Sequence, residues 1–231
     1  MQLYVCVKHV PDSGAIIELN GDTAYKTEAV KYIPSPFDEY GIEEALQLRD
    51  KHGGEVIIVC AGEAGAVSTI RAALAMGADR AIHILTEGLF TDSVLAARAA
   101  AKCISNDGPA DLVFTGKQSI DSEGGRFPYF LGKELGMPVV NDVSGLTVAE
   151  TEVVAVREIG GGKRQKIAAP RPCVIGTTLG LYDPPYPKLP DIKKANKKPV
   201  SEMAASLLGL GASALPRPGK HVILAERAGA R

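Results

Sequence analysis

Short apolar runs alternate with amphipathic stretches from the start of the chain to about residue 136. The apolar runs, which predict buried strands, occur at 3–10, 56–60, 80–85 and 111–115. Between them, apolar residues recur at helical spacing, as in Ile42, Ala45 and Leu46. Strands that alternate with helices in this way need crossover connections. The pattern therefore predicts an α/β fold with a doubly wound, mostly parallel, Rossmann-like sheet.

Start and stop signals support the predicted helices. Ser35 is a candidate N-cap, and Asp38, three residues later, can complete a capping box. This helix should end at 52–54, which reads His-Gly-Gly. The segment 91–93 should cap a further helix that runs to about residue 106. Before the first helix, the segment 20–22 reads Asn-Gly-Asp, which is a hairpin-turn signal.

The pattern changes after Pro138, where a β-rich elaboration begins. Short strands are predicted at 139–140, 145–149, 152–157, 164–168 and 173–178. The segment 182–190 is too rich in proline for a sheet interior and predicts an extended arm, so we expect the globular body to end there. A candidate short helix follows at 201–208. We therefore divide the chain into an α/β domain at 1–181 and an arm and tail at 182–231.

The loop after the strand at 111–115 is the strongest candidate for a ligand site. In an open α/β sheet such a loop leaves the carboxyl end of a strand, and the helix after it offers unpaired N–H groups to an anion. Three glycines that allow close backbone approach and two cations suit a phosphate here: Gly116, Gly124, Gly125, Lys117 and Arg126. Because the loop matches no standard phosphate motif, an ordinary glycine-rich turn is the alternative.

Composition excludes several classes of function. The net charge of −1, with acids and bases interspersed, favours neither nucleic acid nor an anionic membrane. Four scattered cysteines predict buried, reduced thiols and a cytoplasmic protein, and four scattered histidines predict no metal site. No apolar run predicts insertion into a membrane. Asp121 and Glu123 could form an acid–base pair, but no nucleophile signature accompanies them, so we expect no stand-alone catalysis.

A basic segment near the carboxyl end is better suited to docking than to nucleic acid. Its lysines, between residues 188 and 198, lie beside prolines and Leu189. Charge runs are usually solvated surface, and an apolar residue among prolines suits contact with another protein. We therefore predict a protein-docking arm.

Several motifs together resemble the beta subunit of electron-transfer flavoproteins over most of the chain, up to about residue 200. The matching segments are Val7-Lys8-His9-Val10-Pro11-Asp12, Ser35-Pro36-Phe37-Asp38-Glu39, Glu43-Glu44-Ala45-Leu46, Ile70-Arg71-Ala72-Ala73-Leu74-Ala75-Met76-Gly77-Ala78-Asp79-Arg80, Gly116-Lys117-Gln118-Ser119-Ile120-Asp121 and Leu189-Pro190-Asp191-Ile192-Lys193-Lys194-Ala195. The resemblance implies a heterodimer with an alpha subunit that carries the redox-active FAD, and an adenine nucleotide, AMP or FAD, in this subunit. It also implies electron relay between a flavin dehydrogenase, such as an acyl-CoA dehydrogenase, and a membrane or soluble acceptor oxidoreductase.

The resemblance also assigns residues to two sites. The implied nucleotide site comprises Val7, Lys8, His9, Ser35, Ala61, Gly62, Gly116, Lys117, Gln118, Asp121, Ser122, Gly124, Gly125, Arg126 and Phe127. The implied docking residues, in a recognition loop at 186–195, are Tyr186, Leu189, Pro190, Ile192 and Lys193. In the family the leucine of this loop, here Leu189, inserts into a pocket on the partner dehydrogenase. The domain at 1–181 would then bind the nucleotide and the arm would recognise the partner.

The chain departs from the family pattern at three places. Ser35 stands where many members have asparagine, Gly125-Arg126-Phe127 replaces an amide-bearing set, and Asp183-Pro184-Pro185-Tyr186 lacks a cation that is common near the arm. These departures leave two alternatives open within the family, AMP in a simple carrier or a second FAD in an electron-bifurcating complex. Outside the family, the alternative is an ATP-binding adenylating enzyme on the same fold, although no phosphate-cleaving constellation is visible.

Overall fold

The computed structural model describes residues 1–20, 24–25, 30–86, 92–182, 184 and 186–208. In this part of the chain the strands are β1 (Gln2–Cys6), β2 (His9–Pro11), β3 (Leu19–Asn20), β4 (Ala24–Tyr25), β5 (Tyr32–Pro34), β6 (Glu55–Gly62), β7 (Arg80–Leu85), β8 (Leu112–Gly116), β9 (Val139–Val148), β10 (Glu152–Glu158), β11 (Arg164–Pro170), β12 (Cys173–Thr177) and β13 (Val200–Ala204). The α-helices are α1 (Pro36–His52), α2 (Val67–Met76), α3 (Ser93–Asp107), α4 (Phe127–Leu135) and α5 (Leu189–Ala195). Short 3-10 helices occur at Ala64–Ala66 and Ala205–Leu208.

One sheet organises the described residues. Its nine strands lie in the order β11-β10-β9-β12-β8-β1-β6-β7-β13. The pairings from β9 to β13 are parallel, and β10 and β11 extend the sheet with antiparallel pairs. The predicted doubly wound, mostly parallel sheet is therefore confirmed. From β1 the chain first builds β6 and β7 on one side and then β8 and β12 on the other, so the strand order reverses between β1 and β8.

Helices cover both faces of the sheet, with α1 and α2 on one face and α3 and α4 on the other. Leu3 and Val5 of β1 point to a core that includes Ile42 of α1. Tyr4, between them, points to the opposite core, which includes Leu95 of α3. Because a strand buried on both faces needs apolar residues at every position, β1, β6 and β8 read as continuous apolar runs instead of alternating patterns.

The helix signals mostly act as predicted. α1 ends before Gly53, whose φ of 74° lies in the left-handed region. The N-cap of α3 is Asp92, whose carboxylate accepts the N–H groups of Val94 and Leu95 at 2.9 Å. Thr91 lies outside the described residues. β3 and β4 pair antiparallel, as the hairpin signal predicts, while the turn residues 21–23 are also outside the described part.

Two predicted strand boundaries in the first 150 residues were wrong. The run at 3–10 is not one strand, because β2 leaves the main sheet and pairs antiparallel with β5. The predicted strands 139–140 and 145–149 are one strand, β9, whose pairing with β12 contains an irregularity. In both cases the pairing partner, which a local pattern cannot identify, decides where the strand begins or ends.

The arm also differs from its prediction. The extended segment ends at Lys188, because Pro190 lies in the first turn of α5, where proline is tolerated. The prediction of a helix at 201–208 was wrong for residues 201–204, because Val200–Ala204 is a strand that pairs parallel with β7. The expectation that the globular body ends near residue 190 was therefore wrong as well. The division of the chain after residue 181 stays a prediction.

The four cysteines are free and buried, as predicted. Burial raises the pKa of Cys60 to about 12 and raises the pKa of Cys6 further. A thiol with so high a pKa stays protonated and unreactive near neutral pH. In the described part of the chain, no helix combines the length and the apolar character needed to cross a bilayer.

Candidate functional site

The carboxylate of Asp38 lies between the carboxyl ends of β1 and β8. Its Oδ2 accepts the N–H of Lys8 and its Oδ1 accepts the N–H of Gly116, both at 2.8 Å. The predicted capping box was wrong, because the N–H of Ser35 donates to the carbonyl of Lys8 instead of to Asp38. The carboxylate thus fixes two strand ends at the point where the strand order reverses, which is where open α/β sheets bind ligands. We call this place the switch point.

Burial changes the acidity of Asp38. Desolvation raises the pKa of this buried carboxyl to about 7, although the two backbone hydrogen bonds act to lower the pKa. The desolvation effect is larger, so the group titrates near neutral pH. The switch point therefore contains a proton-binding group that accepts hydrogen bonds from backbone on both sides.

Gly116 is required by the close approach of α1. A Cβ at this position would lie 2.5 Å from Oδ1 of Asp38 and 2.8 Å from Cβ of Phe37. Real Cβ atoms do not approach other atoms so closely. The sequence predicts that Gly116 allows a phosphate to approach the backbone closely, and in the structure the space on the side where its Cβ would lie is occupied by the first turn of α1.

A polar cluster forms above the switch point. Nζ of Lys8 lies 2.6 Å and 2.8 Å from the carboxylate oxygens of Asp121 and 3.3 Å from Oγ of Ser119. Ser119 in turn lies 3.0 Å from Oγ of Ser122. Burial alone would raise the pKa of Asp121, but the hydrogen bonds from Lys8 and Ser119 outweigh it and lower the pKa. The structure thus brings together three predicted site residues, Lys8, Asp121 and Ser122, and adds Ser119, which the resemblance did not assign to the site.

Lys117, in contrast, is directed away from this cluster. Its Nζ lies 3.2 Å from a carboxylate oxygen of Asp142 and 5.3 Å from the centre of the Phe37 ring. Its backbone N–H donates to the carbonyl of Thr177 at 2.9 Å. The carboxylate of Asp142, in β9, therefore partly compensates the charge of Lys117. No signal in the sequence indicated that Asp142 would lie beside Lys117.

The loop that leads into α4 is largely exposed and ends in the cationic side chain of Arg126. Apart from Gly124 and its two chain neighbours, no described residue has a heavy atom within 4 Å of a Cβ added at Gly124, and Gly125 has a φ of 60°. Arg126 is the exposed N-cap residue, and Phe127 packs against the core between the sheet and α3. N–H groups in the first turn of a helix have no helical partners, although Pro128 contributes none. These residues fit an anionic group, because backbone donors, a helix dipole and a guanidinium occur together.

The remaining predicted nucleotide residues lie around the ends of β1 and β6. Nδ1 of His9 lies 2.7 Å from Oγ1 of Thr69, and its ring stacks on Tyr32 with centroids 4.3 Å apart. Desolvation, followed by the charge of His83, lowers the pKa of His9. The stacking on Tyr32 and the hydrogen bond with Thr69 fix the orientation of the His9 ring.

The other predicted nucleotide residues make backbone contacts, are buried, or lie partly exposed in the loop after β8. The N–H of Val7 donates to β6, and the carbonyl of Gly62, which follows Ala61, accepts from Thr86 at 3.2 Å. Ser35 is completely buried, and its Oγ has no hydrogen-bond partner among the described residues. Gln118 is partly exposed in the loop after β8.

The predicted docking residues lie on or just before α5. Tyr186 is 96% exposed, Leu189 is 67% exposed and Ile192 is 46% exposed. Pro190 and Lys193 are also exposed. Apolar side chains so exposed at neighbouring positions are typical of protein contact surfaces.

Comparison with known proteins gives the same family as the motifs. A family model described as "Electron transfer flavoprotein domain" matches residues 22–208. The electron transfer flavoprotein subunit beta of Bradyrhizobium diazoefficiens is 36% identical over 93% of this chain and 86% of its own length. The chain belongs to the electron transfer flavoprotein beta-subunit family. The mouse subunit beta is 35% identical over 91% of this chain and 84% of its own, and the mitochondrial subunit beta of Arabidopsis thaliana is 35% identical over 88% and 81%.

Membership of the electron transfer flavoprotein family confirms the predicted resemblance and supports a role in electron transfer. A beta subunit also implies an alpha subunit as its partner.

Proposed function

We propose that this chain binds an adenine nucleotide, AMP or FAD, at the switch point, and that its alpha-subunit partner carries the redox-active FAD. The heterodimer then relays electrons in the cytoplasm between a flavin dehydrogenase, such as an acyl-CoA dehydrogenase, and a membrane or soluble acceptor oxidoreductase. The beta chain itself breaks no bond. Its own residues bind the nucleotide, shield the partner's flavin from water and present the docking arm.

The observation that carries the proposal is the convergence at the switch point. Asp38 joins the backbones of Lys8 and Gly116, and Lys8 reaches the loop after β8 through Asp121. Lys8 and Asp121 are 113 positions apart in the chain. Residues assigned to one nucleotide site by resemblance are therefore neighbours in the fold, at the edge where ligands bind to such sheets.

The chemistry of this cluster supports a ligand with both donors and acceptors. Because Lys8 is already paired with Asp121, a bare phosphate would have to compete with a carboxylate for the ammonium. A ribose hydroxyl can donate to Asp121 and accept from Lys8 without breaking that pair. We therefore assign the sugar to the Lys8–Asp121 pair and the phosphate to the N-terminus of α4 with Arg126.

The nucleotide content of the purified heterodimer tests this proposal. The chain would be produced together with its alpha subunit, and the nucleotides released by denaturation would be separated and quantified. One AMP and one FAD per heterodimer would support the simple carrier, and two FAD would support the bifurcating complex. A single FAD with no second adenine nucleotide would contradict the proposed site.

Replacing Leu189 by alanine should slow electron transfer from the dehydrogenase without releasing the nucleotide. One exposed apolar anchor can contribute much of a transient interface, so we expect kcat/KM to fall roughly tenfold or more. The measurement is the rate at which a substrate-reduced acyl-CoA dehydrogenase reduces the heterodimer. Ile159→Ala is the matched control, because Ile159 is 51% exposed but lies at the turn between β10 and β11. Equal rates for the two variants would contradict the docking role.

A further inference from the structure

Arg71 of α2 binds the carboxyl end of α5. Its Nη1 donates to the carbonyl of Ala195 and to the carbonyl of Lys198, both at 2.8 Å. Ala195 is the last residue of the helix, where the macrodipole is negative, and Lys198 lies three residues further along the chain. A guanidinium there satisfies two acceptors and interacts favourably with the dipole, so α2 holds the end of α5 from outside that helix.

Lys198 makes the reciprocal contact. Its Nζ donates to the carbonyl of Leu74, in the last turn of α2, at 3.0 Å and to the carbonyl of Ala78 at 2.6 Å. Burial lowers the pKa of Lys198, but two carbonyl acceptors offset the desolvation of its ammonium. Each helix therefore has its carboxyl end capped by a cation associated with the other. We call Arg71, Lys198 and their four carbonyl acceptors the reciprocal cap.

The reciprocal cap matters because α5 cannot hold its own position. A helix of seven residues is too short to be stable alone in water. Its buried anchor is Ala195, a small side chain that is 1% exposed and packs in the main core. After Lys198 the chain enters β13 and is fixed to β7. The orientation of α5 relative to the sheet is thus determined by Ala195, the reciprocal cap and the start of β13.

We propose that Arg71 and Lys198 are positioning residues for partner recognition, and that they hold the exposed face of α5, with Leu189 and Ile192, in the orientation that docks. The inference rests on the proposed docking function. To the exposed docking residues it adds Arg71 and Lys198, which would not contact the partner themselves. Neither Arg71 nor Lys198 lies at the switch point, so their loss should leave nucleotide binding intact.

The test compares heterodimers that carry Arg71→Met or Lys198→Met with the wild type. Methionine keeps a long side chain of similar reach but donates no hydrogen bond. We expect the KM for the heterodimer, in its reduction by a substrate-reduced acyl-CoA dehydrogenase, to rise roughly tenfold while kcat changes little. The nucleotide content should stay at the wild-type value. The conservative variants Arg71→Lys and Lys198→Arg should recover most of the wild-type KM, because an ammonium or guanidinium can again donate to the carbonyls.

Hydrogen exchange supplies a second readout in the same folded heterodimers. Loss of the reciprocal cap should accelerate exchange at the amides of α5 while exchange in β1 and β8 stays unchanged. If one methionine variant does not fold, the other tests the same inference, because Arg71 and Lys198 each supply one half of the reciprocal cap. Wild-type KM together with wild-type exchange in α5 would overturn the inference.

Leu189→Ala separates this inference from the proposed function. A raised KM in Leu189→Ala with an unchanged KM in both cap variants would retain the docking arm and reject Arg71 and Lys198 as positioning residues. An unchanged KM in Leu189→Ala would reject the docking function itself, and the inference with it.

Discussion

Replacing Gly116 by alanine should unfold the switch point and abolish nucleotide binding. The new Cβ would lie 2.5 Å from Oδ1 of Asp38 and 3.1 Å from the Asp38 nitrogen, and the backbone of α1 cannot move without losing its packing on β8. Overpacking of a rigid site typically costs 1–3 kcal/mol, and the lost hydrogen bonds of Asp38 add to it, so we expect a loss of roughly 3–5 kcal/mol. Denaturant titration followed by circular dichroism, with nucleotide content measured on the same samples, checks this result.

Gly145→Ala is the matched control for Gly116→Ala, because each substitution adds a methyl group to a strand of the main sheet. Gly145 also lies in a strand of the main sheet, β9, but a Cβ there would meet its nearest neighbour, Cβ of Val156, at an ordinary 3.5 Å. Its stability should stay within about 0.5 kcal/mol of the wild type. If Gly116→Ala were as stable as Gly145→Ala and kept its nucleotide, the close packing of α1 on β8 would not be what shapes this site.

Replacing Asp38 by asparagine should destabilise the protein in a way that depends on pH. Near pH 5 the buried carboxyl of Asp38 is protonated, and its hydroxyl oxygen still has a lone pair that can accept one N–H while its carbonyl oxygen accepts the other. The amide nitrogen of asparagine accepts no hydrogen bond and leaves one N–H unpaired, so we expect a cost of about 3 kcal/mol at this pH. The pKa of Asp38 is raised to about 7 from 3.8. The stability that this group contributes is therefore fully present below the ordinary pKa and is lost as the pH rises through the folded-state pKa.

The difference in stability between the wild type and Asp38→Asn should accordingly narrow between about pH 4 and pH 7 and stay constant above that range. Glu44, whose pKa burial also raises to about 7, is present in both proteins, so its titration cancels in the difference. Denaturation midpoints at a series of pH values give the comparison. A difference that is constant or widens with rising pH would show that the carboxylate of Asp38 is not held in a desolvated site.

Local patterns predict the layers of this fold because the central strands β1, β6, β8 and β12 are buried on both faces. The runs at 56–60 and 111–115 needed no knowledge of their partners to be identified as strands. The edge of the sheet is different. Val200–Ala204 reads Val-Ser-Glu-Met-Ala, which has no strong strand pattern, and it becomes a strand because β7 offers an unpaired edge.

The candidate site shows the same contrast between local and distant causes. The loop after β8 could be located from sequence, since its position after a buried strand and its glycines are local features. The role of Asp38 could not be predicted from sequence. An acidic residue three positions after an N-cap serine, as Asp38 is after Ser35, favours a capping box by its local sequence. Its actual partners, Lys8 and Gly116, come from two strands that only the folded sheet brings together.

An experimental structure of the purified heterodimer, determined without added nucleotide, tests the central claim most directly. We predict density for an adenylate at the switch point, with its sugar beside Lys8 and Asp121 and its phosphate at the start of α4 next to Arg126. A well-ordered heterodimer with only solvent at those residues, or with its second nucleotide bound elsewhere, would contradict the account.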